Sequence, residues 1–97
     1  MYNIQILDEA EIDTKNGINF YESQSIGLGS YFLTSILSDI ESLYIFGGIH
    51  IKIKNYHRLL SKRFPYSIYY KIKDKNILIY AILDCRQNHK TTTKRLS

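Results

Sequence analysis

Ninety-seven residues with a single cysteine and a formal net charge of +4 describe one domain with a modest core, and exclude a second domain, an internal disulfide and a zinc site built from paired thiolates. No apolar run approaches the ~18–20 residues of a membrane-spanning helix, and the opening MYNIQILDEAE lacks a basic-then-apolar leader pattern, so a cytoplasmic protein without a membrane partner is expected. The net charge conceals an asymmetry: residues 1–47 carry seven acids and one base, a net of −6, whereas residues 48–97 carry twelve Lys/Arg and two acids, a net of +10.

Such a split serves solubility when helices carry the acids and strands carry solvated lysines. It serves recognition when the basic half forms one face for a polyanion or an acidic protein. Nine tyrosines, six of them after residue 43, add stacking surface to that half.

In chain order, residues 2–7 alternate Tyr2, Ile4 and Ile6 against Asn3, Gln5 and Leu7, which predicts a short first strand with one buried face. Asp8 then caps a helix, with Glu9 and Glu11 in its first turn and Asp8 and Glu11 at capping-box spacing. The inward stripe of that helix is Ala10, Thr14, Gly17, Ile18 and Tyr21, small enough to permit a close helix crossing. Ser25-Ile26-Gly27-Leu28-Gly29 breaks the pattern. A second helix follows with Phe32, Leu33, Ile36, Leu37, Ile40, Leu43 and Tyr44 at helical spacing, ending near Phe46 because Gly47-Gly48 tolerates a left-handed helix end.

The basic half reads as β-structure. Ile49-His50-Ile51-Lys52-Ile53-Lys54 alternates, as an edge strand or as an extended lead-in. Three strands then follow over residues 56–64, 66–73 and 77–83, with turns at Phe64-Pro65-Tyr66 and Asp74-Lys75-Asn76. The first has no clean alternation, so its buried face stays open. The second buries Tyr66, Ile68, Tyr70 and Ile72 and leaves Tyr69 to the surface. In the third, Ile77, Ile79, Ala81 and Leu83 oppose Leu78, Tyr80 and Ile82, apolar on both faces, as suits a doubly covered strand. Residues 87–97 are polar, lack an apolar stripe and are expected to form a short, frayed tail. The fold class is therefore α+β: an N-terminal strand, a helical hairpin and a three-stranded antiparallel meander in one domain.

That order, together with Lys62-Arg63-Phe64-Pro65-Tyr66-Ser67-Ile68-Tyr69-Tyr70 and the ending Ala81-Ile82-Leu83-Asp84-Cys85-Arg86, resembles the RelE/ParE superfamily of toxin–antitoxin toxins. Residues 13–21 are similar to its first-helix pattern, and Gly27-Leu28-Gly29-x-x-Phe32-Leu33 to the start of its second helix, so the resemblance covers nearly the whole chain. It is greatest to the ParE-like branch. The resemblance implies a bacterial toxin held in check by a cognate antitoxin, whose disordered segment folds over the sheet and helices. In the ParE-like branch the target is DNA gyrase, poisoned by binding; in the RelE-like branch it is messenger RNA on the ribosome, cleaved by the toxin. An inert remnant that has lost toxicity is the third class.

RNA cleavage through the 2′-hydroxyl needs a base, an acid and cations around the phosphate. Under the resemblance, Arg86 matches a phosphate-stabilising arginine of the RNase branch and Lys62 falls near another of its cations. That branch's C-terminal tyrosine would fall near Thr92, and no tyrosine follows Tyr80. His89 is the candidate substitute, because histidine titrates near neutral pH. A reading by binding instead uses Arg58, Lys62, Arg63, Tyr69, Tyr80 and Arg86 as the partner surface. His50, His57 and His89 lack the spacing of a zinc site, Gly27-x-Gly29 is a loop rather than a phosphate cradle, and neither metal nor cofactor is expected.

Overall fold

In the computed structural model, which describes residues 2–97, the N-terminal alternation forms β1 (Asn3–Ile6), paired in parallel with the last strand of the sheet. The Leu7 N–H bonds to the Ile79 carbonyl, so the extended chain runs one residue further than the capping box requires. The first helix, α1 (Asp8–Gln24), therefore has Leu7 in the cap position with no side-chain cap, and Asp8 is already helical. The Asp8/Glu11 capping box is not formed. Asp8, Glu9 and Glu11 still occupy the first turn, where the helix dipole favours negative charge.

Helix α1 turns its small stripe onto α2 (Leu28–Glu41), and two glycines set how close the helices come. A Cβ on Gly17 would lie 2.5 Å from the Phe32 ring, and one on Gly29 would lie 2.8 Å from the Ile18 carbonyl oxygen. The start of α2 is capped from outside: the Glu22 carboxylate accepts the N–H groups of Gly27 and Gly29 at 3.1 and 2.9 Å. The expected single helix to Phe46 is interrupted at Ser42, whose hydroxyl donates to the Asp39 carbonyl at 2.6 Å and diverts a bond from the helical ladder. A short helix, α3 (Leu43–Phe46), completes the run.

The edge-strand reading of residues 49–54 holds for a two-residue strand, β2 (Lys52–Ile53). It pairs with β3 (Tyr56–Leu60) through Lys54 and Asn55, both at positive φ (52° and 72°), the geometry of a tight hairpin turn. Strand β3 stops at Leu60 rather than Phe64. Residues 61–65 form a loop closed by the Ser61 N–H bonded to the Tyr66 carbonyl. Then β4 (Tyr66–Lys73) and β5 (Asn76–Asp84) form the long central hairpin, turning at Asp74, with φ 58°. The sheet order is β1-β5-β4-β3-β2.

One irregularity corrects the face assignment of β5. The register steps from Tyr69↔Ala81 to Tyr70↔Ile79, a bulge that leaves Tyr80 extra and flips the alternation beyond it. Ile77, Ile79 and Ile82 therefore join the core under the helices, whereas Ala81 and Leu83 join a second cluster. On β4, Tyr66, Ile68 and Tyr70 face the helices as expected, but Tyr69 is buried in the second cluster rather than exposed. On β3, Leu59 packs towards the helices and Tyr56 towards the second cluster, which decides the face left open by the sequence.

What buries that second cluster is the C-terminus. Residues 87–97 do not fray: Asn88 caps α4 (His89–Arg95) by accepting the Lys90 N–H, and Leu96 is buried with Tyr56, Tyr69, Ala81 and Leu83. Arg95 supplies the second anchor through a two-pronged pair with Asp13 of α1 at 2.8 and 2.9 Å. A helix without an apolar stripe is held by one leucine and one guanidinium.

Candidate functional site

Three of the cations singled out in the sequence, Lys62, Arg63 and Arg86, lie in the β3–β4 loop and just after β5, two segments joined by the Cys85 N–H to the Pro65 carbonyl at 2.7 Å. Lys62 and Arg63 stand exposed in that loop. Arg86 follows β5 and is held by Asp84: Nη2 to Oδ2 at 2.8 Å, Nε to Oδ1 at 3.0 Å and the backbone N–H to Oδ1 at 2.8 Å. The Arg86 guanidinium holds the Asp84 carboxyl below the usual carboxylate range, and its own proton is held more firmly in return. Its side chain remains 59% exposed, so the pair contributes little to stability but fixes a guanidinium at the surface. Beneath it, burial and then the Asp84 charge push the Tyr66 phenol up to about 12.

Between β3, β4 and α4 lies a cleft of about 230 Å³. Arg58, Tyr69, Asp84, Cys85, His89 and Thr92 are in its lining, and Arg58 and Tyr69 are cross-strand neighbours. The Arg58 Nε is shielded from solvent and has no hydrogen-bond partner among the described residues. A donor in that position is available to an anion that enters the cleft. Ser67 Oγ lies 3.0 Å from Cys85 Sγ, and both are in its lining.

The structure thus brings Arg58, Tyr69 and His89 together and leaves Lys62, Arg63 and Arg86 outside the cleft lining. Tyr80 is separate again. It packs edge-on against Tyr56, ring centroids 5.2 Å apart, with the Lys71 ammonium over the Tyr56 ring. Sequence reasoning missed Asp84, which orients Arg86, and Ser67 and Thr92 in the cleft wall. The Asp84-x-Arg86 spacing at a strand end was the available signal for the first; Thr92 was marked only as the place near which the resemblance puts a tyrosine, and nothing local marked Ser67.

A second polar cluster lies on the helix-facing side of the sheet. The buried Tyr70 hydroxyl accepts the Gly48 N–H at 2.9 Å and hydrogen-bonds His50 Nδ1, while His57 stacks on the Tyr70 ring and its Nδ1–H donates to the His50 carbonyl at 2.7 Å. Burial, and secondarily the His57 charge, lower the His50 imidazole from its ordinary 6.5, so the folded protein favours the neutral ring. The unfolded chain then binds that proton more readily than the folded one. The stability His50 contributes is complete above pH 6.5 and is lost as the pH falls through the lowered value. Urea titrations across mildly acidic pH should show this decline, and His50→Asn should flatten it. A slope that persists in His50→Asn would place the titrating group elsewhere.

The parallel pairing of β1 with β5, the helical hairpin on one face and the antiparallel β3-β4-β5 meander define the α+β fold. Among solved structures it is shared with a chain of the chromosomal ParDE TA system from P. aeruginosa, at a TM-score of 0.73 and 20% identity, over 84% of this chain and 94% of that one. No protein-family model matches the sequence, and no curated protein matches it.

Proposed function

We propose that this protein is the toxin of a type II toxin–antitoxin pair, ParE-like, arresting growth by binding DNA gyrase and neutralised by a cognate antitoxin. The observation that carries the reading is the fold shared with a chain of the ParDE system across 84% of the sequence. Action by binding is supported by the engagement of Arg86 with Asp84 and by a threonine, Thr92, near the position where the RNase branch places its C-terminal tyrosine. The antitoxin has two features to recognise. An apolar groove of about 240 Å³ between β1, α1 and α2, with Ile6, Ile18, Leu33, Ile36 and Leu37 in its lining, suits the apolar face of an amphipathic helix. The Lys62, Arg63 and Arg86 end, with Arg58 in the cleft, suits its carboxylates.

The cleft favours a second reading, ribosome-dependent mRNA cleavage. It offers a phenol and an imidazole, Tyr69 and His89, beside the free Arg58 donor, although the phenol comes from β4 and not from the C-terminus. Arg86 and Lys62 would then act at its rim.

Induced expression without a partner should slow bacterial growth, and the purified protein should impair gyrase supercoiling or trap cleaved DNA. Messenger RNA cut at the ribosomal A site with gyrase unaffected would overturn the first reading in favour of the second. Absence of both effects would identify an inert remnant. Antitoxin binding should weaken as salt rises from about 0.05 to 0.5 M, because exposed pairs are screened within about 10 Å. Because Arg86 is exposed and already paired within the chain, Arg86→Ala should reduce antitoxin affinity less than about 5-fold, as expected for a rim charge. A loss of 100-fold or more would show that Arg86 leaves Asp84 to become a buried contact.

A further inference from the structure

Helix α3 and the segment joining it to the sheet expose a concentration of large apolar side chains. Tyr44, Ile45, Phe46, Ile49 and Ile51 are 43%, 79%, 50%, 71% and 64% exposed, five large side chains within eight residues. Apolar surface concentrated in this way marks an interaction site rather than scattered exposure. The segment is also rigidly held, since Gly48 N–H, His50 and His57 are all tied to Tyr70 or to one another. A Cβ on Gly47 would lie 2.7 Å from Ile77 Cδ1, so this backbone sits directly on the core.

Alongside the patch runs β2, the outermost strand of the sheet on that side. The Ile51 carbonyl accepts the Arg58 N–H at 2.9 Å. The alternation of an antiparallel ladder then turns the Lys52 N–H and C=O away from β3, towards the open edge. These two groups form a ready rung for one more strand.

Charge identifies what that strand must be. Residues 42–73 contain seven Lys/Arg and not one Asp or Glu, and Lys52 and Lys54 flank the open edge. A second copy of this chain would bring lysines against lysines, a like-charge juxtaposition that opposes pairing. We propose that the β2 edge and the Tyr44–Ile51 patch form a docking surface for an extended partner segment of alternating apolar and acidic residues, added as a sixth strand. Its apolar side chains cover Ile49 and Ile51, and its carboxylates meet Lys52 and Lys54. The surface lies apart from the α1–α2 groove and stands whichever target the toxin reading has.

The test uses the intact protein and three fluorescein-labelled octapeptides read by anisotropy: alternating valine and glutamate, alternating valine and lysine, and four valines followed by four glutamates. The alternating acidic peptide should bind about 10-fold or more tightly than either control. Lys52→Pro removes the outward N–H and no bond to β3, and should weaken that binding about 10-fold. Ile51→Glu, at an exposed position, should do the same without shifting the thermal midpoint. Equal binding of the alternating and block acidic peptides would reduce the site to charge attraction and overturn the proposal. So would undiminished binding by both variants, or sedimentation showing that the protein covers this edge with a second copy.

Discussion

Replacing Phe32 with alanine should destabilise the protein by about 3–5 kcal/mol, the range for deleting a fully buried phenylalanine. Phe32 is wholly buried and sits at the centre of an aromatic cluster, with Tyr21 stacked at 5.1 Å and Phe64 and Tyr66 edge-on at 5.0 and 4.9 Å. Those neighbours come from α1, the β3–β4 loop and β4, so the cavity could not be closed by a shift of one element. The facing position makes the claim separable from a general loss of apolar area. Gly17→Ala should gain about 1 kcal/mol of helix propensity in isolation. In the folded protein its methyl would lie 2.5–2.6 Å from the Phe32 ring, and overpacking of that kind costs about 1–3 kcal/mol. Gly17→Ala should therefore be destabilising alone and less so, or stabilising, in combination with Phe32→Leu. Chemical denaturation of the two single variants and the double variant measures this. Additive effects would show that the close crossing at Gly17 does not constrain the helices.

Asp13→Ala should cost about 2–4 kcal/mol and act first on α4. The Asp13 side chain is only 10% exposed and joins three elements: it accepts both terminal nitrogens of Arg95, at 2.8 and 2.9 Å, and the Ile82 backbone N–H at 3.0 Å. Ile82 lies where β1 has already ended, so its N–H on that edge has no strand to bond. Removing the carboxylate leaves a buried donor unmet and a guanidinium without its partner, and each of these costs more than the pair itself contributes. Asp13→Asn should be milder, because the amide oxygen can still accept from Ile82. Glu9, 75% exposed and 3.3 Å from the Arg95 Nε, is a minor partner, and Glu9→Gln should change stability by less than about 0.5 kcal/mol. Limited proteolysis within residues 87–97 should accelerate in Asp13→Ala before the remainder of the fold is cut. An unchanged cleavage rate would show that Leu96 alone holds the helix.

Much of the fold is written in local pattern. The helical spacing of Phe32, Ile36, Ile40 and Leu43, the alternation of Tyr66 to Ile72, and the Asp74 turn each state a period or a backbone requirement that a few neighbouring residues satisfy. The order of these elements, with the runs Lys62–Tyr70 and Ala81–Arg86, carried the resemblance, and the ParDE chain shares the fold. The site was legible only in composition: a basic half and a cluster of arginines and lysines near residues 58–63 and 86.

What the tertiary structure alone decided were the features that depend on residues far apart in the chain. The β5 bulge shifts the faces of Ile82 and Leu83 because the partner strand, not the local sequence, sets the register. The polar tail is a helix because Asp13, 82 residues away from Arg95, and an apolar face made by β3, β4 and β5 receive it. Tyr69 is buried and Arg58 lines a cleft for the same reason, since α4 lies over both. A residue's period can be read from its neighbours; what covers it depends on which distant segment has surface left to bury, and only the assembled sheet determines that.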